Sequence, residues 1–483
     1  MKSVLLAATM ASAVVAADVA VPWPGGTAPL PNAIDALVND ALDTAARQQV
    51  EAFLAAYEVG EDSEPIQLSQ EDVDKGLSNE QLFHVGDELF EHPFTSADGF
   101  GAKKYERVQR VHAGVRGGLD TFSCAGCHSV GGPDGAGSEL ENAFLEGDGE
   151  RASSANVRNP PAVLGLGFVQ ALGAEMSRDL ALLRRRAVEG ARAANAQMTV
   201  ALESKGVSFG RVTARPDGVL DPREIVGIDA DLVVRPFGWK GTGSHLRRFV
   251  EDAARVHFGI QSHVLALGHR GAPDPARVGT GPDWWDPDGD GVKRELEEGA
   301  LTAGAAYLAM LESPVILPPS DARLVERWAR GSHTFDTVGC PDCHRRELHL
   351  ENKIWEERSD TTRGTPIRID LFADGQRPKS TSHVRLFSDL KRHDMGAELA
   401  DRHDSANGLP RGVFLTRPLW GLAESAPYLH DGRATTIPAA ILAHGGEARA
   451  SRDAYAGLSS EDQQSVHVFL LSLTRAANPR VAR

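Results

Sequence analysis

The sequence predicts a mainly α fold: two related domains, loop-rich connections and one small β insertion. Three observations predict it. The pattern Cys-x-x-Cys-His occurs twice, within FSCAGCHSV (residues 122–130) and VGCPDCHRR (338–346), and the chain has no other cysteine. Stretches such as DALVNDALDTAARQQVEAFLAAYE and SHLRRFVEDAARVHFGI repeat apolar residues at the spacing of a helix with one buried face. Glycine (49) and proline (27) are plentiful and aromatics make up 6% of the chain, which favours irregular connections.

With 483 residues, 41% hydrophobic and 24% charged, the chain can bury more than one core. Its net charge of −16 argues against a nucleic-acid partner. The opening MKSVLLAATMASAVVAADVA has a positive Lys2, a short apolar run and small residues suited to cleavage after Ala16 or Ala17. That is the pattern of a signal peptide, residues 1–17, because the run is too short to span a bilayer. No later segment holds the ~18 unbroken apolar residues of a transmembrane helix. The expectation is an exported, periplasmic protein with no membrane span.

Exported cysteines usually pair as disulfides, but this spacing fits the attachment of c-type haem better. Two thiols add to the haem vinyl groups, and the adjacent His lies under the iron. Cys124, Cys127 and His128 would hold one haem c covalently, and Cys340, Cys343 and His344 a second. A zinc site would not need a His directly after both pairs. A thioredoxin-like pair would need a strand-then-helix setting that the flanks lack. A cross-paired disulfide set is the remaining alternative. The lead-ins agree with haem: RGSHTFDTVGCPDCH, with Phe335 and Gly339 ahead of Cys340, resembles the approach to the haem motif in cytochrome c domains, and GDELFEHPF (residues 86–94) looks like its counterpart. The domains are thus two cytochrome c-like haem domains.

In chain order, residues 18–76 read as an N-terminal helical extension and 77–318 as the first haem domain. A glycine-rich loop follows His128. DLALLRRRAVEGARAANAQMTVALES (179–204) reads as helical. VSFGRVTARPDGVLDPREIVGIDADLVVRPFGWKG (207–241) alternates apolar residues around Pro-Asp-Gly and reads as the β insertion. SHLRRFVEDAARVHFGI returns to helical spacing, with Leu246, Phe249, Val250, Ala253 and Ala254 on one face. PVILPPSDARL is the linker into the second haem domain, 319–483. Its last helix is expected to start with a capping box of Ser460 and Gln463 and to bury Val466, Phe469, Leu470 and Leu473.

DPDGDGVKRELE (286–297) matches the twelve-residue calcium loop. Asp286, Asp288 and Asp290 take positions 1, 3 and 5, Gly291 the sharp turn, Val292 the carbonyl position and Glu297 the bidentate position. One structural Ca2+ between the haem motifs is expected; a solvated acidic turn is the plainer alternative.

The segment RPLWGLAESAPYLHDGRATTIPAAILAHGGEA (417–448), with FGWKG (237–241), RNPPAVLGLGFVQAL (158–172) and SDLKRHDMG (388–396), resembles the di-haem oxidoreductase family. That family is described as peroxidases or thiol oxidoreductase-like cytochromes. It is related to bacterial di-haem cytochrome c peroxidases and the methylamine-utilisation di-haem enzymes. The resemblance spans roughly residues 77–475. It implies that a small donor protein, a cytochrome c or cupredoxin, reduces the C-terminal haem, and that electrons pass to the N-terminal haem, where peroxide or another small substrate reacts.

In the peroxidases a Met fourteen residues after the His of the APYxH segment ligates the C-terminal haem. Here that position is His444, so His444 is the distal candidate there, with Met395 as its rival. Exchanging Met for His should lower the potential. The resemblance also implies Trp239 as the tryptophan between the haems. His257 stands where relatives carry a carboxylate, and is the candidate distal base or ligand at the first haem. Alternative functions are a pure electron-transfer cytochrome with two six-coordinate haems, or an oxidase of a protein or organic substrate through high-valent iron.

Overall fold

Each Cys-x-x-Cys-His motif closes a short helical turn, and each is approached by a helix that crosses another from much later in the chain. The computed structural model describes residues 68–101, 111–112, 115–116, 121–129, 142–146, 152–262, 291–372, 382–405 and 408–475. All lie within one compact unit, Pro65–Arg483. The signal-peptide segment, the helical stretch before residue 59, most of the glycine-rich loop and Asp286, Asp288 and Asp290 fall outside the described residues.

Ten α-helices lie among the described residues. They are α1 (Gln70–Asp74), α2 (Asn79–Glu91), α3 (Cys124–Cys127), α4 (Leu166–Ala194), α5 (Leu246–Ala253), α6 (Glu298–Met310), α7 (Ala322–Thr337), α8 (Ile437–Ala443), α9 (Arg449–Ala456) and α10 (Ser460–Leu470). The sheets are small: apart from one three-stranded sheet, all are two-stranded. The mainly α expectation agrees with this composition. None of the described helices is long and apolar enough to cross a membrane.

The helix α2 packs on α6, and α7 packs on α10. Glycine makes both approaches possible. A Cβ on Gly86 of α2 would overlap Ala303 O and Tyr307 Cβ of α6, and one on Gly331 of α7 would overlap Ser465 O of α10. Both glycines stand four residues before a buried aromatic, Phe90 and Phe335, so each helix presents a notch and then a knob on one face. The small residue that matters before the second motif is therefore Gly331. Gly339 has φ +86° and turns the chain into Cys340.

Local signals explain the helix starts. Ser78 and Gln81 form a capping box at α2, with bonds of 3.2 and 2.9 Å. Asp321 accepts from the amides of Arg323 and Leu324 at α7. At α10 the cap is Ser459, which accepts from Asp462 N at 3.1 Å, one residue earlier than the expected Ser460. Gln463 instead reaches back to Tyr455 O at the end of α9 (3.2 Å). Val466, Phe469 and Leu470 are buried on this helix as expected; Leu473 is buried too, but beyond the helix end, in a two-residue strand that pairs with Ile316.

The β insertion begins earlier than its sequence reading. The helix α4 stops at Asn195, whose φ of +49° is a left-handed cap. Met198–Ser204 (β1) then pairs with Val207–Ala214 (β2), and Leu220–Asp221 (β3) adds a short third strand. The residues 198–204 are a strand rather than the end of a helix because Lys205 and Gly206, at φ +51° and +76°, form a two-residue left-handed turn. Lys205 is also pinned by a buried ion pair to Glu175 of α4, at 2.7 Å.

The central core joins α2, α4, α6 and the hairpin. The helix α6 is buried on every side, as an apolar helix with no polar face must be. Two smaller clusters flank the core. Leu89, Phe94, Phe258, Ile260 and Leu301 lie in the cluster packed against Cys124, and Phe335, Phe387, Tyr455, Val466 and Phe469 in the one packed against Cys340. The Gly331→Ala substitution should therefore destabilise the protein by about 1–3 kcal/mol, the usual cost of overpacking. Gly457→Ala, at an ordinary φ of −79° with no close neighbour, should be neutral or slightly stabilising. Urea unfolding curves of the two variants check this, and equal stability would contradict the crossing argument.

Candidate functional site

The two motifs share one backbone arrangement. In the first, Ser123 Oγ accepts from Gly126 N (3.1 Å), and His128 N donates to Cys124 O (3.1 Å). In the second, the 3-10 turn Cys340–Asp342 leads to His344, whose N donates to Cys340 O (2.9 Å). Each His thus directly follows a turn that holds its two cysteines together. The four cysteines form no disulfide with one another. Burial, with Cys127 nearby, pushes the Cys124 thiol up to about 12; burial, with Asp336, does the same to Cys340.

A cavity of about 350 Å³ opens beside the second motif. Cys340, Cys343 and His344 line it, together with Trp239, Met395, Leu415, Arg417, Trp420, His430 and His444. His344 Nδ1 donates to Phe387 O at 3.0 Å, and His444 Nδ1 donates to Ala440 O at 2.8 Å. These bonds put the proton of each neutral ring on Nδ1 and leave Nε2 as a lone-pair donor, the tautomer of a metal ligand. Burial lowers the pKa of both rings, His344 to about 4 with a further contribution from His444.

The two rings are 6.5 Å apart, centroid to centroid. Two metal–imidazole bonds of about 2 Å, plus about 1 Å from each ring nitrogen to its centroid, give about 6 Å. The residues present therefore fit an iron porphyrin: two thiols, a proximal His, an apolar recess and a second His at axial distance. Met395 lines the same cavity, with its amide bonded to Gly412 O at 2.8 Å. A zinc-type grouping of cysteines does not form. Among the described residues, the one group of three with metal-ligand spacing is Cys343, Asp389 and His393, with a single sulfur.

Charged residues wrap this cavity, and sequence reasoning gave them no role. Asp401 receives both guanidinium nitrogens of Arg158 at 2.7 Å and Lys240 Nζ at 3.1 Å, all within the protein interior. Lys240 also donates to the carbonyls of Pro410, Arg411 and Val413 and sits 3.9 Å over the Phe414 ring. Phe414 stacks on His430 at 4.2 Å. Burial depresses the His430 pKa to about 4 despite Asp431 and Asp401 nearby. His393 is clamped between Asp389 (2.8 Å) and Glu447 (2.7 Å). Burial opposes its charge, but the Asp389 bond and the Cys343 sulfur outweigh it and raise the pKa to about 11. The sequence signals for these groups were the RNPPAVLGLGFVQAL, FGWKG, SDLKRHDMG and APYLHDG segments, read as family marks without roles for Arg158, Lys240, His393 or His430.

Trp239 lies on the wall of this cavity. Its Nε1 donates to Asn159 O at 2.7 Å, and its ring meets His430 edge-on at 6.4 Å. On the first-motif side, His257 lies in a single π-helical turn, Ala254–Phe258, a departure from α geometry often found at functional sites. The neighbouring Phe258 stacks on Phe94 at 4.8 Å, and Phe94 N donates to Phe122 O (2.8 Å), two residues before Cys124. The His257 segment is thus packed toward the first motif. In the expected calcium loop, Gly291 has φ +104°, the left-handed turn such a loop requires. Glu297 is buried and bonded to Arg294 at 3.4 Å.

Residues 319–473 match the family model described as "Di-haem oxidoreductase, putative peroxidase". Among solved structures, a MauG-like protein associated with microbial copper homeostasis is 15% identical over 86% of this chain and 94% of that chain, with a TM-score of 0.33. Hydrazine synthase from Kuenenia stuttgartiensis, solved under xenon pressure, is 20% identical over 38% of this chain, with a TM-score of 0.24. The chain spans 57% of that protein's length, less than two thirds. No curated protein matches the sequence.

The neutral burial of His430 sets a pH dependence. Its folded pKa lies below the ~6.5 of an unfolded His, so the unfolded chain takes up a proton first as pH falls. Stability is therefore lost as pH drops from about 6.5 towards 4. Urea unfolding across that range should give a shallower slope for His430→Asn than for the parent; an unchanged slope would show that His430 does not titrate this way.

Proposed function

We propose that this chain, whose residues 319–473 carry the di-haem oxidoreductase match, is an exported di-haem c-type cytochrome enzyme of peroxidase type. The observation that carries the reading is the pairing of His344 with His444, each fixed as an Nε2 donor at axial distance across one cavity. When bound, the two haems supply one-electron transfer and, at an open iron, the reduction of peroxide to two waters with two electrons and two protons. Cys340 and Cys343 would hold the second haem, with His344 proximal and His444 distal. Held by two imidazoles, that haem would supply electron transfer without an open position, and the site would suit electron entry from a small donor protein.

Substrate then belongs at the first motif. Cys124 and Cys127 would hold that haem, with His128 proximal. His257 is our candidate for moving a proton between the two peroxide oxygens, help that typically contributes ~10²–10⁴-fold. Trp239, on the wall of the second cavity, is the candidate relay between the sites. Its bond to Asn159 O holds the indole in one orientation. The electron-transfer reading applies if His257 also closes its iron.

Optical and EPR spectra of the holoprotein separate these readings. The oxidised and half-reduced parent should show a low-spin second haem and a rapid peroxide response at the first. His444→Ala should convert the second haem to high spin, whereas Met395→Ala should leave it low-spin. His257→Ala should slow peroxide turnover by about 100-fold. Two low-spin haems that ignore peroxide in both states would remove the enzyme reading.

We further propose one structural Ca2+ bound by Asp286, Asp288, Asp290, the Val292 carbonyl and Glu297. The left-handed Gly291 and the buried Glu297 support it. Chelation should then lower the thermal midpoint of the parent, and added calcium should restore it. Glu297→Gln should abolish the response to both treatments. A parent midpoint indifferent to chelator would dismiss the ion.

A further inference from the structure

Arg417 is an anomaly among the arginines around the second cavity. Arg158 is paired with Asp401, Arg392 with Asp229 and Arg452 with Asp453. Arg417 has no hydrogen bond or ion pair among the described residues. Its recorded contact is aromatic: the guanidinium carbon lies 5.7 Å from the centre of the Trp239 ring. Burial lowers its pKa only to about 10, so it is charged at neutral pH. It is half-buried and lines the cavity.

A cation held against apolar side chains without an anion is unfavourable. Of the two carboxylates that share the cavity lining with Arg417, Glu447 is engaged by His393 and the Asp394 amide and Asp342 is exposed; Asp401, behind the wall, is taken by Arg158 and Lys240. The missing anion is therefore best supplied by the occupant of the cavity. That occupant must be largely apolar, to suit Leu415, Trp420 and Trp239, and must carry a carboxylate at its edge. A planar fork of N–H donors matches a carboxylate in two-point contact.

We propose that Arg417 is the counter-ion of a haem propionate at the second motif, held on the Trp239 side of the cavity. This rests on the reading that Cys340 and Cys343 carry a haem. In this role Arg417 positions the cofactor and sets its potential. A fixed positive charge favours the reduced haem, which carries one less positive charge than the oxidised form.

The test uses the holoprotein with its covalent haems. Peptide mass analysis of the parent first establishes haem on Cys340 and Cys343; a bare second motif overturns the underlying reading and this inference with it. With haem present, Arg417→Leu should lower the reduced-to-oxidised ratio of the second haem at fixed ambient potential on the order of tenfold. It should also shift the propionate bending band in the resonance Raman spectrum. Arg417→Lys should keep most of the parent's ratio. Arg417→Gln, which keeps size and hydrogen bonding, gives the same readings if the Leu variant does not fold. An unchanged ratio and an unchanged propionate band in a neutral variant overturn the proposal, even where thermal stability falls.

Discussion

The close crossing of two helix pairs is the constraint on which the rest of the structure depends. A five-residue haem motif is too short to build a pocket, so its walls must come from elsewhere in the chain. Gly86 and Gly331 let α2 and α7 lie against the backbones of α6 and α10. Those crossings bring segments from more than a hundred residues away to each motif. Phe90 and Phe335, one turn after each glycine, then fill the space beside it. The same device serves both motifs although the intervening sequence differs.

Around the second motif, the protein combines an apolar recess with charges held at its wall. Lys240 and Asp401 are buried and Arg158 is half-buried; both cations bond to Asp401 and to backbone carbonyls. Such a network is tolerable because each charge is compensated; removing one member would strand the others. It anchors Phe414 and through it His430, which in turn abuts Trp239. The orientation of Trp239 is thus the end of a chain of contacts that begins with an ion pair. Arg417 stands outside that compensation, and the asymmetry directs attention to what the cavity holds.

The two sites differ in what faces the proximal His. Beside His344 the structure sets another imidazole, with its Nδ1 proton committed to a carbonyl. On the side of the first motif it has a π-helical turn that bears His257 and whose Phe258 stacks on Phe94. In the proposed function this difference is the division of labour: one iron is saturated and relays electrons, and the other retains a position for substrate.

The sequence by itself determined what depends on short covalent spacing. The Cys-x-x-Cys-His motifs, the left-handed glycine of DPDGDG, the buried stripe of the last helix and the mainly α composition were legible because each is set by neighbours a few residues apart. Where local signals competed, reading was poorer. The run to Ser204 looked helical until Asn195 and the Lys205–Gly206 turn are seen to dictate a hairpin, and two adjacent serines hid which one caps α10. The resemblance singled out His444, but only the tertiary structure set its ring 6.5 Å from that of His344, a hundred residues earlier, and left Arg417 without the carboxylate its neighbours have. Those facts follow from how helices pack and from which charges meet.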